Sequence, residues 1–403
     1  MAIFHLSFLI FHFSSTPAQA QPLGRYSADI VASAVNFADT IDIEWDRQQV
    51  YVPLTIDGRS YRFLLDTGAG LTVVFSGTPL ADSPRAGGIL SHDATGRTDT
   101  VTMVQLPPML IGSVVLEHCH ATVQQHAPGS HIDGILGFDL VNSGLSMKID
   151  VPRRQLIITD RRDLFRQETD GAISLRYTLN FHVPYVDITP FGRQRERVLI
   201  DTGSRRFFAM NKVHFDAATA DEGQSLRGLT IEGRSTGRHA IGLGGMEPEG
   251  EVVFMQLDNL QLGDYAFSNL HAITTQGGSH LGAPLLQHGA LIFTPRQRRL
   301  FFLPQSGQQP CPVDNRQLEI AFVADELGRP QVGLVWEQGE PYQAGLRQGD
   351  IIEQIDQRPV LSLQQFIRWP FMPGHPHTFT LRDRQGQRRN VSWVRIPLKS
   401  EEQ

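Results

Sequence analysis

Cysteine is almost missing. Cys119 and Cys311 are the only two in 403 residues, which excludes a disulfide scaffold and a cysteine-rich zinc domain. One bridge between them and two separate thiols are both open readings. Long apolar runs are missing too: the run at residues 4–13, FHLSFLIFHF, is too short to cross a bilayer, and no later stretch comes close. Neither sign of charge dominates. Lys plus Arg (36) against Asp plus Glu (42) leaves −6 with no obvious basic face, so nucleic acid is not an expected partner. With 40% hydrophobic and 19% charged residues, the mix also excludes disorder, collagen and a coiled coil. At roughly 150 residues per domain, the length suggests two to three domains.

The N-terminal run leads through Ser14 and Ser15 to Pro17-Ala18-Gln19-Ala20. The small-x-small end reads as a cleavage site, so residues 1–20 are expected to be a signal peptide with the mature chain starting near Gln21. A basic n-region is missing, with His5 the nearest approach. The expected localisation is exported, either periplasmic or secreted, where disulfides can form.

An internal repeat organises the middle. Val52-Pro53-Leu54-Thr55-Ile56-Asp57-Gly58 leads to Phe63-Leu64-Leu65-Asp66-Thr67-Gly68-Ala69. Val183-Pro184-Tyr185-Val186-Asp187-Ile188 leads to Val198-Leu199-Ile200-Asp201-Thr202-Gly203-Ser204. Downstream, Leu110-Ile111-Gly112 answers Gln261-Leu262-Gly263, His120-Ala121 answers His271-Ala272, and Leu136-Gly137 answers Leu281-Gly282. The segment Pro152 to Ile157 answers Pro295 to Phe302. Two homologous lobes are therefore expected, 35–165 and 168–305. Within each, short alternating or apolar runs are cut by Gly, Pro and Asn, which reads as all-β, and helical periodicity is scarce. A Gln/Pro-rich linker is expected over 306–317. The pattern then changes to a small module over 318–398, with a strand at Val332 to Trp336, a short helix around Leu363 to Ile367, and strands at Thr378 to Arg382 and Arg389 to Arg395.

A given tripeptide of this kind should occur about 0.1 times in such a chain by average usage. Two copies inside a matching repeat ask for a physical reason. An apolar strand delivers a carboxylate to a turn, and the Gly after it lets backbone approach backbone without a Cβ. Thr can hydrogen-bond across a two-fold axis and lock the loops. Two such loops hold two carboxylates around one water. Like charges at that distance share a proton and titrate as a unit, so one member can act as base and the other as acid. No metal or cofactor is called for. Ser204 can offer a hydroxyl to Asp201, whereas Ala69 offers Asp66 nothing comparable. Asp201 is therefore expected to be the charged base and Asp66 the protonated acid.

These residues resemble the aspartic proteases of the pepsin and retropepsin clan. Asp66-Thr67-Gly68-Ala69 looks like the retroviral-type motif, and Asp201-Thr202-Gly203-Ser204 looks like the pepsin-type one. Ile135-Leu136-Gly137 and His280-Leu281-Gly282 resemble the second family element, which packs beneath each catalytic loop. The resemblance covers roughly 45–305. It implies a bilobal, single-chain pseudo-dimer, an endopeptidase with Asp66 and Asp201 as its dyad, and a peptide or protein as substrate. Thr67, Gly68, Thr202, Gly203, Ser204, Gly137 and Gly282 would form the scaffold. A substrate-binding flap is expected at Gly244-Gly245-Met246, ahead of a strand at Val252 to Leu257. The equivalent stretch in the first lobe, Ser91 to Val104, has only Gly96 and reads equally as a plain loop. The C-terminal module resembles a PDZ domain through Val332 to Val335, Gly339-Glu340-Pro341, Ala344-Gly345-Leu346 and Gly349-Asp350-Ile351-Ile352. That implies capture of an extended peptide at a sheet edge, for substrate presentation, with an autoregulatory or a purely structural role as the alternatives. Gln317-Leu318-Glu319-Ile320 stands in place of the usual carboxylate grip, and an acidic Glu319 speaks against binding of a free C-terminus.

His118, His120, His126 and His131 crowd around Cys119. Because His120 has a counterpart in His271, they are expected to be structural rather than metal ligands. Asp133 and Asp139 read as turn residues, and Arg153-Arg154 and Arg296 to Arg299 as solvated faces. Two rival functions remain: a catalytically silent peptide-binding adaptor, and a metal-dependent hydrolase using the histidines.

Overall fold

Asp57 and Gly58 take left-handed dihedrals, φ 48° and 71°, and close a two-residue turn between the strands Gln49–Ile56 and Arg59–Leu65. This mirror-image turn matches the twist of the flanking strands. The computed structural model describes residues 21–22, 29–92, 98–125, 132–220, 225–242, 245–372 and 374–394. The expected signal peptide lies outside them. The chain is all-β.

From that first hairpin the sheet grows outward. Gly134–Leu136 runs parallel to Arg59–Leu65, Thr72–Phe75 lies antiparallel to it, and His120–Gln124 runs parallel to Thr72–Phe75. A hairpin of Thr98–Gln105 and Arg85–His92 completes the series. The second half repeats the order and every sense: Val183–Ile188, Glu196–Asp201, His280–Gly282, Phe208–Asn211, Leu270–Thr275, Gly250–Leu257 and Leu229–Gly237. Even the left-handed residues correspond. Gly112 and His118 have φ 61° and 57°, and Gly263 and Asn269 have 62° and 48°.

A six-stranded sheet joins the halves. Ala38–Asp42, Gln155–Thr159 and Ser146–Asp150 come from the first, and Gly289–Thr294, Arg299–Pro304 and Ile173–Arg176 from the second. They meet where Met147 pairs with Phe293 and Ile149 with Leu291. One apolar core runs through both halves. At its centre Phe293 meets Phe138 edge-on at 5.1 Å, with Tyr177 at 6.0 Å from Phe138.

The stretch 306–317 is not a free tether. Its strand Cys311–Pro312 runs parallel to Tyr265–Ser268, and Asn315 exchanges hydrogen bonds with the His271 backbone. Beyond it a separate core of Val332, Leu346, Ile352, Phe366, Phe379 and Leu381 supports a further sheet. Its strands run in the order Ile320–Ala324, Pro330–Val335, Ile351–Ile355, His377–Arg382 and Arg388–Trp393, so Ile320–Ala324 is an edge. The helix Leu363–Ile367 follows the sequence expectation, with Ser362 accepting from the Gln365 amide at its start. The longest helix among the described residues was not expected. Lys212–Ala220 buries Phe215 and Ala218 and is capped by Asn211, whose Oδ1 accepts from the His214 amide at 3.0 Å; such a short apolar stripe is hard to tell from strand spacing. Among the described residues no helix is long and apolar enough to cross a membrane.

Because Phe293 sits at the seam of the shared sheet with no exposed surface, Phe293→Ala should cost about 3–5 kcal/mol. Guanidinium unfolding checks this, and a loss below about 1 kcal/mol would show that the seam is not part of the core.

Candidate active site

Each Asp-Thr-Gly triplet ends an apolar strand. Phe63-Leu64-Leu65 and Val198 with Ile200 are buried and hold the two turns in the core, so the triplets emerge at the junction of the halves. There they interlock. The Thr67 amide donates to Thr202 Oγ1 at 3.0 Å, and the Thr202 amide to Thr67 Oγ1 at 3.1 Å. Each hydroxyl then donates across the junction, Thr67 to Ile200 O at 2.6 Å and Thr202 to Leu65 O at 2.7 Å. Both threonines are 1% exposed, so every group in this ring depends on its partner.

The lock brings the carboxyls of Asp66 and Asp201 into hydrogen-bonding contact. The glycines are required by the approach. A β-carbon on Gly68 would sit 2.8 Å from Asp201 Cγ, and one on Gly203 would sit 2.5 Å from Asp66 Cγ. The Gly68 amide donates to Asp66 Oδ1 at 2.8 Å. Asp201 Oδ1 accepts twice, from Gly203 N at 3.0 Å and Ser204 N at 3.2 Å. Burial raises the pKa of both carboxyls. Asp66 is raised well above the usual range because the Asp201 charge and its shared hydrogen bond add to burial. In Asp201 the hydrogen bond from Asp66 and the two amides oppose the rise. Two amides, Gly68 and Gly203, oppose the rise at Asp66 as well, and the two acids share a proton and titrate as one unit.

The contact made by Ser204 differs from the expectation. The Ser204 amide, not its hydroxyl, reaches Asp201. The hydroxyl oxygen instead accepts from the Arg206 amide at 3.2 Å, because the turn after Asp201 aims that amide at it.

Beneath each turn lies the second glycine. Asp66 N donates to Leu136 O at 3.0 Å and Phe138 N to Ala69 O at 2.8 Å; a β-carbon on Gly137 would lie 2.9 Å from Ala69 O. In the second half Asp201 pairs with Gly282, Ala283 N donates to Ser204 O at 2.9 Å, and a β-carbon on Gly282 would meet Arg206 O at 2.0 Å. Asp139 serves the support: it accepts from Thr72 N at 2.9 Å and Thr72 Oγ1 at 3.1 Å, and burial pushes its pKa up to about 6. Asp133 accepts from Arg62 N at 2.7 Å. Both are turn and strand supports.

The sequence reading missed a second latch across the junction. Gln49 Nε2 donates to Gly203 O at 2.6 Å, and Gln49 Oε1 accepts from Arg205 Nε and Nη2 at 3.0 and 2.8 Å and from Tyr51 OH at 3.1 Å. Nothing in the spacing pairs Gln49 with Arg205. The available signals were the polar run Asp46-Arg47-Gln48-Gln49 ahead of the first hairpin and Ser204-Arg205-Arg206 directly after the second motif.

Of the expected flap, Gly245 and Met246 pair with Gly242 and Ile241 in a short ladder, while Gly244 lies outside the described residues. The arms Leu229–Gly237 and Gly250–Leu257 form its long hairpin. The first half has an equivalent hairpin, Arg85–His92 with Thr98–Gln105, whose Gly96 also lies outside the described residues.

Among the described residues no group of three or more His, Cys, Asp or Glu is arranged to hold a metal; His126 and His131 lie outside them. His271 Nδ1 is 2.9 Å from Glu232 Oε2. The cysteines are separate thiols. Burial pushes Cys119 up to about 12, and Cys311 Sγ lies 3.6 Å from His288 Nδ1.

Residues 52–140 match a family model described as aspartyl protease. The match takes in Asp66-Thr67-Gly68 and Gly137, supports an aspartyl protease family, and suggests proteolysis of a peptide or protein substrate. It ends before Asp201. Among curated proteins nothing matches the chain.

The threonine ring carries its own test. Thr67→Val and Thr202→Val should each cost about 1–3 kcal/mol, since each leaves a buried amide without its acceptor. The double variant should lose clearly less than the sum of the singles, as read by denaturant unfolding. Strict additivity would mean that the two hydroxyls do not act as one ring.

Proposed function

We propose that the chain is an exported aspartic endopeptidase, a single-chain pseudo-dimer of two retropepsin-like lobes (35–165 and 168–305) with an appended PDZ-like domain over 318–398. The observation that carries this reading is the interlocked pair of Asp-Thr-Gly loops with their carboxyls in contact. The family match over 52–140 supports it from the sequence side. The matching strand order of the two large sheets supports the two-lobe reading, and the edge strand Ile320–Ala324 beside Leu363–Ile367 suits a peptide-binding module.

In the mechanism we infer, a water sits between Asp66 and Asp201. Asp201, whose Oδ1 accepts from two amides, takes a proton from that water as the oxygen attacks the scissile carbonyl carbon. Asp66 donates its proton to the carbonyl oxygen, giving a neutral tetrahedral diol. Collapse of the diol returns a proton to Asp66 and passes the other from Asp201 to the departing amine nitrogen. The dyad ends as it began. Thr67, Gly68, Thr202, Gly203, Ser204, Gly137 and Gly282 hold this geometry, and Met246 on its hairpin faces the substrate.

Asp66→Asn and Asp201→Asn should each abolish cleavage of a peptide library, and the wild-type activity should resist chelators and yield to a statine-type transition-state analogue. The rate should be bell-shaped in pH, falling in acid as Asp201 is protonated and in alkali as Asp66 loses its proton. The linkage sign gives a second readout. A carboxyl whose folded pKa is raised contributes stability that is present below its unfolded value and lost as pH rises through the folded one. Asp66→Asn should therefore be inactive yet more stable than wild type at neutral pH, by thermal unfolding. Retained cleavage in either Asn variant would overturn the dyad.

A further inference from the structure

Both arms of the second hairpin contact the C-terminal domain. On the ascending arm the Arg238 amide donates to Gly333 O at 2.9 Å. The approach is close enough to need glycine on both faces: a β-carbon on Gly237 would lie 2.3 Å from Gly333 O, and one on Gly333 would lie 2.6 Å from Arg238 O. Lower on the same arm, Trp336 Nε1 donates to Glu232 O at 3.3 Å, and the indole lies 5.9 Å from the Phe254 ring on the descending arm. Leu334 is fully buried with Val252, Phe254 and Ile273. At the start of the descending arm, Glu249 accepts from Gln348 at 3.1 Å and from Arg384 at 3.3 Å.

The hairpin is also latched from within. Glu247, 2% exposed, accepts from the amides of His239 and Ala240 at 2.8 and 2.9 Å and from Thr275 Oγ1 at 2.9 Å. Arg206, two residues beyond Ser204, lies close enough to Glu247 and His239 to exert its charge on both. Contacts thus run from the C-terminal domain through the hairpin arms to the latch at Glu247, and Arg206, in the turn that follows Asp201, acts on that latch through its charge.

We propose that the C-terminal domain is a clamp that fixes the second hairpin over the substrate cleft, with Gly237, Gly333 and Trp336 as positioning residues for substrate closure. The role in closure rests on the endopeptidase reading; the clamp itself does not. A domain that served only to recruit peptide would be expected to dock away from the moving part. This one contacts both of its arms.

The test uses the full-length chain. Gly237→Ala adds a methyl group whose nearest neighbours are Gly333 O and the buried Leu334 across the seam, so it forces the two faces apart there. Trp336→Phe keeps an aromatic ring and deletes the bond to Glu232 O, giving a second variant should the first fold poorly. In an Asp66→Asn background, hydrogen exchange of the amides over 229–257 should speed up at least tenfold in Gly237→Ala and by less in Trp336→Phe, with exchange over 49–65 unchanged. In the active background kcat/KM should fall about tenfold, mainly through a higher KM. Unchanged exchange in both variants would overturn the clamp. Faster exchange with unaltered kcat/KM would overturn its role in closure. Because exchange is read without activity, a chain that cuts no peptide would sink the endopeptidase reading while the clamp is still decided by exchange.

Discussion

Two carboxyls at contact distance repel once both ionise, and neither can be left in a loop free to relax away. The structure meets this constraint with backbone. Four hydrogen bonds between Thr67 and Thr202 and the opposite strands make each turn the support of the other, and Gly68 and Gly203 remove the atoms that would hold the acids apart. Everything around them stiffens this arrangement. Gly137 and Gly282 admit the strands beneath, Asp139 ties down Thr72, and Gln49 spans the junction to Gly203 and Arg205.

A chemical difference between the two acids arises within this near-symmetry. Both carboxyls sit after the same apolar strand and before the same glycine, but Asp201 accepts two turn amides at one oxygen. The bulk of the protein supplies position, and the turn amides supply polarity.

Much of this was readable before any coordinates. The two triplets and their downstream glycines are local signals whose chemistry is fixed by spacing, so they survive as strings. The short helix and the strands near 332, 378 and 389 were legible for the same reason: Gly-Asp and Ala-Gly-Leu turns punctuate that stretch. What stayed hidden depends on distance along the chain or on a rotor. Gln49 and Arg205 meet across 156 positions. The sequence aimed the Ser204 hydroxyl at Asp201, whereas in the fold its oxygen accepts from the Arg206 amide. Gly237 and Gly333, which look like ordinary breaks in strands, are a single interface when folded.

The sheet shared by the halves has a further consequence. Because Ser146–Asp150 and Gly289–Thr294 belong to one polypeptide, each half meets its mate at an effective concentration set by a short connection rather than by protein abundance. The junction therefore assembles equally well in a dilute compartment. The covalent tie also frees the two turns from having to be identical, as a pair of separate, self-matching subunits would require, and so allows one to carry Ala69 where the other carries Ser204.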